Sequence, residues 1–241
     1  MKNTFIIIIL LAILLTLLSV SACVFVPAIS KLDMKTFLAS QENKIGESAQ
    51  ILLVADNSSF FSTKTNVYAM EKRENNWQMV FEPFDAVIGK NGFAPAGEKR
   101  EGDGKTPSGI YPLKMTFGYD ATIGTKMPYR RALDDDLWVD DPNADDYNRW
   151  VKKPETHAAS YERMRRDDNL YKYGIVIEYN TDQIIKGNGS AIFLHVWKGE
   201  GFPTAGCVAV SEEDIIKILG WLDPAASPLI IMGTIPFLNQ R

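Results

Sequence analysis

Beyond residue 49 the apolar residues arrive in short bursts, and that spacing limits what the chain can fold into. Residues 50–55, 66–71, 77–81, 84–88, 174–179, 191–197, 207–210 and 229–232 are runs of strand length, separated by polar or glycine-bearing turns. The polar stretch 72–76 between two of them predicts a hairpin. Helical spacing is rarer. Ser211-Glu212-Glu213-Asp214 opens like a capping box, Ile215, Ile216, Leu219 and Leu222 continue as an apolar face, and Pro224 stops the run. A second helix is predicted over 156–166, and Met34, Phe37 and Leu38 give a short helical spacing within 32–45. This balance predicts a mainly β (α+β) domain with few helices.

The chain has 241 residues, of which 46% are hydrophobic and 23% charged, enough for one domain with its own core. With a formal net charge of -4 and no block of Lys and Arg, nucleic acid is excluded as the expected partner. At the N-terminus Lys2 precedes an apolar run from Phe5 to Leu18, interrupted only by Thr16, and then Val20-Ser21-Ala22-Cys23. Small residues before a cysteine resemble a bacterial lipobox, with Cys23 lipidated as the new N-terminus; a cleaved signal peptide and an uncleaved helix running on to Ile29 are the alternatives. Each places the rest of the chain in the cell envelope, outside the cytoplasm, with the membrane as a partner through lipid or helix. The expected division is a signal peptide with lipobox over 1–23, a linker or helix over 24–48, and a catalytic domain over 49–241.

There are two cysteines and two histidines. With Cys23 in the export segment, Cys207 is left with His195 nearby, which points to a thiol nucleophile and its base. Within 191–197, Ile192, Leu194 and Val196 share an aliphatic face that belongs in the core, whereas Phe193, His195 and Trp197 share the other. The nine residues from Lys198 to Gly206 hold three glycines and a proline and form a loop. If the flanking strands pair antiparallel, Trp197 lies near Cys207 and His195 sits on a diagonal from it, within side-chain reach. An imidazole there takes the thiol proton. Gly206 lets the backbone approach a substrate, and the amides around Gly206 and Cys207 stabilise a tetrahedral oxyanion.

The stretch FLHVWKGEGFPTAGCVAV, residues 193–210, resembles the catalytic motif of the L,D-transpeptidase (YkuD-type) family: a His, a spacer, then Ser/Thr-His-Gly-Cys. The stretch 89–113, with Thr106-Pro107-Ser108-Gly109, resembles the Thr-Pro-x-Gly segment that precedes that region, and WVDDPNADDYNRWV and LYKYGIVIEYN are similar to a bacterial subgroup. The resemblance implies a YkuD-like β-sandwich or barrel with peripheral helices. It implies acyl transfer on peptidoglycan stem peptides, without a metal or organic cofactor. Cys207 would be the nucleophile and His195 the general base, with a backbone carbonyl near Val196 or Trp197 orienting the imidazole and Thr204 matching the Ser/Thr. Ala205 stands where the motif has its second His, leaving His195 as the only imidazole there. An L,D-carboxypeptidase-like hydrolase and a non-catalytic wall-binding lipoprotein remain as alternatives.

Other features are read as structural. The seven Asp residues from Asp134 to Asp146 lack the Asp-x-Asp-x-Asp-Gly pattern of a calcium loop and are expected as a solvated loop near the cleft. Trp138, Tyr147 and Trp150 are assigned to the core, while Trp197 is left free to stack on substrate. Arg163, Arg165 and Arg166 are expected on an exposed, salt-bridged helix face, His157 on the surface, and Gly102-Asp103-Gly104 in a turn.

Overall fold

The computed structural model describes residues 31–56 and 61–234. The lipobox and its Cys23 lie outside the described residues. Among those described, no helix is long and apolar enough to cross a membrane.

Two short helices, α1 (Lys31–Ser40) and α2 (Glu42–Ile45), precede the strands β1 (Gln50–Asp56), β2 (Lys64–Arg73), β3 (Asn76–Met79), β4 (Phe84–Val87), β5 (Phe93–Ala94), β6 (Thr106–Pro107) and β7 (Gly109–Gly118). There follow β8 (Tyr129–Arg131), β9 (Asp136–Val139), β10 (Trp150–Lys152), β11 (Tyr161–Arg163), β12 (Tyr173–Ile177), β13 (Phe193–Val196) and β14 (Val208–Val210), then helix α3 (Glu212–Trp221) and β15 (Leu229–Thr234). A ten-stranded sheet runs β1-β15-β7-β12-β13-β14-β4-β2-β3, with β8 on β7. Because β2 also pairs with β1, the sheet closes on itself like a barrel, so few edges are left for pairing with another chain. The fold is mainly β with a few helices, as the strand-length bursts predict.

Strand alternation assigns the faces. Leu52 and Val54 of β1, Leu194 and Val196 of β13, and Val208 and Val210 of β14 share one core cluster with Ile215, Ile218, Leu219 and Leu222 from α3 and the residue after it. Each such side chain contributes about 1.5–3 kcal/mol on leaving water. Ile51 and Leu53 face the other way and meet Met34, Phe37 and Leu38 of α1, so the predicted helical spacing packs on the sheet. The Ser211 cap also holds: its hydroxyl accepts from Asp214 N at 3.1 Å, and three acidic residues complement the first turn. In the hairpin, strands β2 and β3 extend into the predicted turn, which shrinks to Glu74 and Asn75, both at positive φ, as a tight two-residue turn demands.

Two expectations need correction. Residues 156–166 form no helix. Tyr161–Arg163 is β11, antiparallel to β9, because buried Leu137, Trp138 and Val139 need a partner strand and tertiary pairing outweighs local propensity. Within the acidic tract, Asp136 is buried rather than solvated, accepting from Trp150 Nε1 at 2.7 Å and Leu133 N at 2.8 Å, and so it fixes the β9–β10–β11 sheet.

Candidate active site

The site grows from the outer faces of β13 and β14. On β13, Leu194 and Val196 point into the core, so Phe193 and His195 point away from it; on β14, Val208 and Val210 do the same and turn Cys207 and Ala209 outward. The two strands pair parallel, with Leu194 opposite Val208 and His195 opposite Ala209. This corrects the antiparallel expectation. The eleven residues from Trp197 to Cys207 carry the chain back along β13 instead of turning it around. Phe193, not Trp197, therefore lies opposite Cys207, and its amide donates to Cys207 Sγ at 3.4 Å. His195 still falls on a diagonal from Cys207, on the same face, at roughly 7–8 Å between backbones.

The returning loop is pinned along the continuation of β4. Thr204 N donates to Ile88 O, and Lys90 N donates to Thr204 O, both at 2.9 Å. The Thr204 hydroxyl donates to Cys207 O at 2.6 Å and accepts from Gly206 N at 3.1 Å, closing the turn that presents the thiol. Thr106 clamps it from outside, donating to Gly206 O at 2.8 Å while accepting from Gly89 N at 2.9 Å. Gly206 has a φ of +157°, and a Cβ there would sit 3.0 Å from Lys105 O, so a larger residue would be strained and would press on that carbonyl.

Both groups rest uncharged. His195 Nδ1 lies 2.7 Å from Val196 O. A carbonyl only accepts, so Nδ1 carries the proton and Nε2 the lone pair. The orienting carbonyl is thus Val196's, while its side chain lies in the core. Burial lowers the imidazole from 6.5 to about 4, against the opposing pull of that carbonyl. Burial likewise pushes the Cys207 thiol from 9.0 up to about 12, only partly offset by the Phe193 amide. The thiol donates to Ala191 O at 3.2 Å. At neutral pH the two groups are a neutral acid and a neutral base, not a thiolate–imidazolium pair.

His195 is wedged edge-on against Tyr171, 5.2 Å between ring centroids, and Arg166 covers Tyr171 at 5.1 Å. Arg166 is fixed by Asp168, at 2.9 and 2.7 Å, and by Glu162 at 3.2 Å. In front of these groups lies a cleft of about 530 Å³, lined by Lys99, Glu101, Glu162, Arg166, Trp197 and Phe202 together with His195 and Cys207. Ala205 also lines the cleft, and its side chain brings no donor.

The structure thus brings Cys207, His195, Gly206, Thr204, Trp197 and the Val196 carbonyl to one place. Trp138 and Tyr147 are buried as expected, Trp150 is half-buried, and His157 is exposed. Arg166 is not on an exposed helix face but in the cleft wall, and Arg163 stays exposed. Sequence reasoning missed Thr106 and Tyr171. The Thr-Pro-x-Gly resemblance marked the first without a role, and the second lies unremarked in LYKYG. Among the described residues, no three of His, Cys, Asp and Glu are grouped to hold a metal ion.

The chain belongs to the YkuD family: the profile of the L,D-transpeptidase catalytic domain matches residues 56–231. Among solved structures it is similar to Bdellovibrio bacteriovorus Bd1075, at 18% identity and a TM-score of 0.41 over 77% of this chain and 48% of that one. It is also similar to the helical cell shape determining protein Pgp2 from Campylobacter jejuni, at 16% identity and a TM-score of 0.39 over 83% and 54%. The chain spans about half the length of these structures. No curated protein matches it.

Proposed function

We propose that this chain is a cysteine acyltransferase that acts on peptidoglycan stem peptides, with Cys207 as nucleophile and His195 as general base. Membership in the YkuD family supports the substrate class. The observation that carries the reading is the shared face: His195 keeps Nε2 as a lone pair because Val196 O holds Nδ1–H, and Cys207 lies on its diagonal in the same cleft.

In the proposed step Sγ attacks the carbonyl of the third stem residue. An S–C bond forms, the C–N bond to the terminal D-alanine breaks, and the thiol proton passes through Nε2 to the leaving amine. Since the resting thiol is held near 12 and the imidazole near 4, the proton moves as the S–C bond forms rather than beforehand. Gly206 N is already bonded to Thr204, which leaves Cys207 N as the amide for the oxyanion. An amine of a second stem resolves the thioester as a crosslink, and water resolves it as a trimmed stem. Residues 1–23 serve as export signal with Cys23 as lipid anchor, 24–48 as linker and 49–241 as the catalytic domain, so that the site works at the wall, outside the cytoplasm.

The test is mass spectrometry of the full-length chain, in detergent, incubated with disaccharide tetrapeptides. An acyl adduct with loss of D-alanine and crosslinked product supports the reading. Adduct with trimmed product alone makes the protein an L,D-carboxypeptidase-like hydrolase. Bound glycopeptide with neither adduct nor product leaves a wall-binding lipoprotein.

A further inference from the structure

The motif Lys99-Arg100-Glu101-Gly102-Asp103-Gly104 is not used by the mechanism above, yet it forms one wall of the cleft through Lys99, Glu101 and Gly102. It contains an unusual feature: a lysine that is only 4% exposed. Burying an ammonium is costly unless it is paired and hydrogen-bonded. Lys99 Nζ donates to Asp103 Oδ1 at 2.7 Å and to Arg100 O at 2.8 Å. Asp103 is itself held by Arg100 N at 2.7 Å and Lys105 N at 2.8 Å, so the turn fixes the counter-charge as firmly as the charge.

The lysine stem runs along Gly189. A Cβ at that position would lie 3.0 Å from Lys99 Cγ and 3.2 Å from both Cε and Nζ, and the φ of +99° there also favours glycine. Two residues on, Ala191 O accepts the thiol of Cys207. Lys99 is therefore packed on the segment that holds the nucleophile. The other cations of the cleft are engaged elsewhere: Arg166 by Asp168 and Glu162, and Lys198 at the rim, 5.1 Å over the ring of half-exposed Phe202.

We propose that Lys99 is a positioning residue for the nucleophile, a buried ammonium that Asp103 fixes in the cleft wall so that its field stabilises negative charge on Cys207. This rests on Cys207 being the reactive thiol. The thiol is faced by Glu162 of β11, by Arg166, by Tyr171 and by His195 of β13; Lys99 is faced by Asp103 and by Glu101 of its own loop. Of these, Glu162 opposes ionisation of the thiol, and Lys99 and Arg166 favour it. Glu101 is occupied by the hydroxyl of Ser190, at 2.7 Å, and by that of Tyr147.

The test is the pH profile of iodoacetamide alkylation, read at the Cys207 peptide by mass spectrometry on the full-length chain. Alkylation joins Sγ to the acetamide carbon and releases iodide, and its rate follows the thiolate fraction. Lys99→Met should shift the profile to higher pH and slow alkylation near neutral pH about tenfold, the effect of one pKa unit. Lys99→Arg, which keeps the positive charge, should leave the profile near the parent's. A lysine that only fills space would not separate the charged from the neutral replacement. If Lys99→Met does not fold, Lys99→Gln is read in its place. A neutral variant whose profile superimposes on the parent's, or a Lys99→Arg profile shifted as far as that of the neutral variant, overturns the proposal. The outcomes separate from those of the proposed function. A shift confined to the neutral variant without any acyl adduct sinks the acyltransferase reading and keeps Lys99, whereas adduct formation with unmoved profiles does the reverse.

Discussion

The two faces of β13 and β14 make the most instructive comparison in this molecule. Leu194, Val196, Val208 and Val210 on one face are buried among aliphatic side chains and α3. One residue over, Phe193, His195 and Cys207 on the other face meet rings, charges and a cleft. The first face needs only volume and water exclusion. The second holds an acid and a base in a burial that keeps both neutral. Period-two alternation thus lets two short strands face the core on one side and the candidate site on the other.

Substitutions on the two faces should separate the properties. Leu194→Ala, at a position with no exposure, should cost about 2–5 kcal/mol of unfolding free energy in chemical denaturation, with the alkylation behaviour of Cys207 retained while the chain stays folded. Loss of thiol reactivity in the folded variant would break the comparison. The outer face should answer to pH. A histidine lowered from 6.5 to about 4 by burial favours the folded state above 6.5, and that contribution should be lost as pH falls towards 4. A thiol raised from 9.0 to about 12 contributes fully below 9, and that contribution should be lost as pH rises towards 12. Denaturation midpoints across pH should therefore fall at both ends, with His195→Gln flattening only the acid limb and Cys207→Ala only the alkaline one.

Thr106 joins the two regions. Thr106→Val leaves Gly206 O and Gly89 N without their partner and should cost about 1–3 kcal/mol, with acylation falling along with it. Unchanged acylation would mean that the clamp does not set the position of the thiol. Smallest of all, Ser211→Ala at the cap of α3 should cost about 1 kcal/mol and leave thiol chemistry alone, since the helix packs on the aliphatic face.

What was legible in the sequence follows the same divide. β1, the β2–β3 hairpin, the face assignments of β13 and the Ser211 cap are local patterns, written in residues that are neighbours in sequence. Parallel pairing of β13 with β14 was not legible, because it depends on β12 and β4 occupying the outer flanks of the pair. Strand β7 escaped notice because Pro112 and Lys114 break its apolar pattern, although it lies between β15 and β12. β11 reads as helix in isolation because only the apolar residues of β9 reveal that it has a partner. Cys207 and His195 could be picked out by scarcity and motif. Tyr171 and Lys99 could not, and Arg166 reads as part of an exposed helix face, since their proximity to the cleft is created by loops that carry no periodic signal.

The central claim is that Cys207 reacts and that His195 on its diagonal serves it. Intact-mass kinetics of the full-length chain with a carbapenem, an acylating mimic of the stem peptide, test this most directly. The account predicts one adduct on the parent, none on Cys207→Ala, and on a folded His195→Ala an acylation slowed by about 100-fold or more near neutral pH. An adduct on Cys207→Ala, or a His195→Ala variant that reacts as fast as the parent, would contradict it.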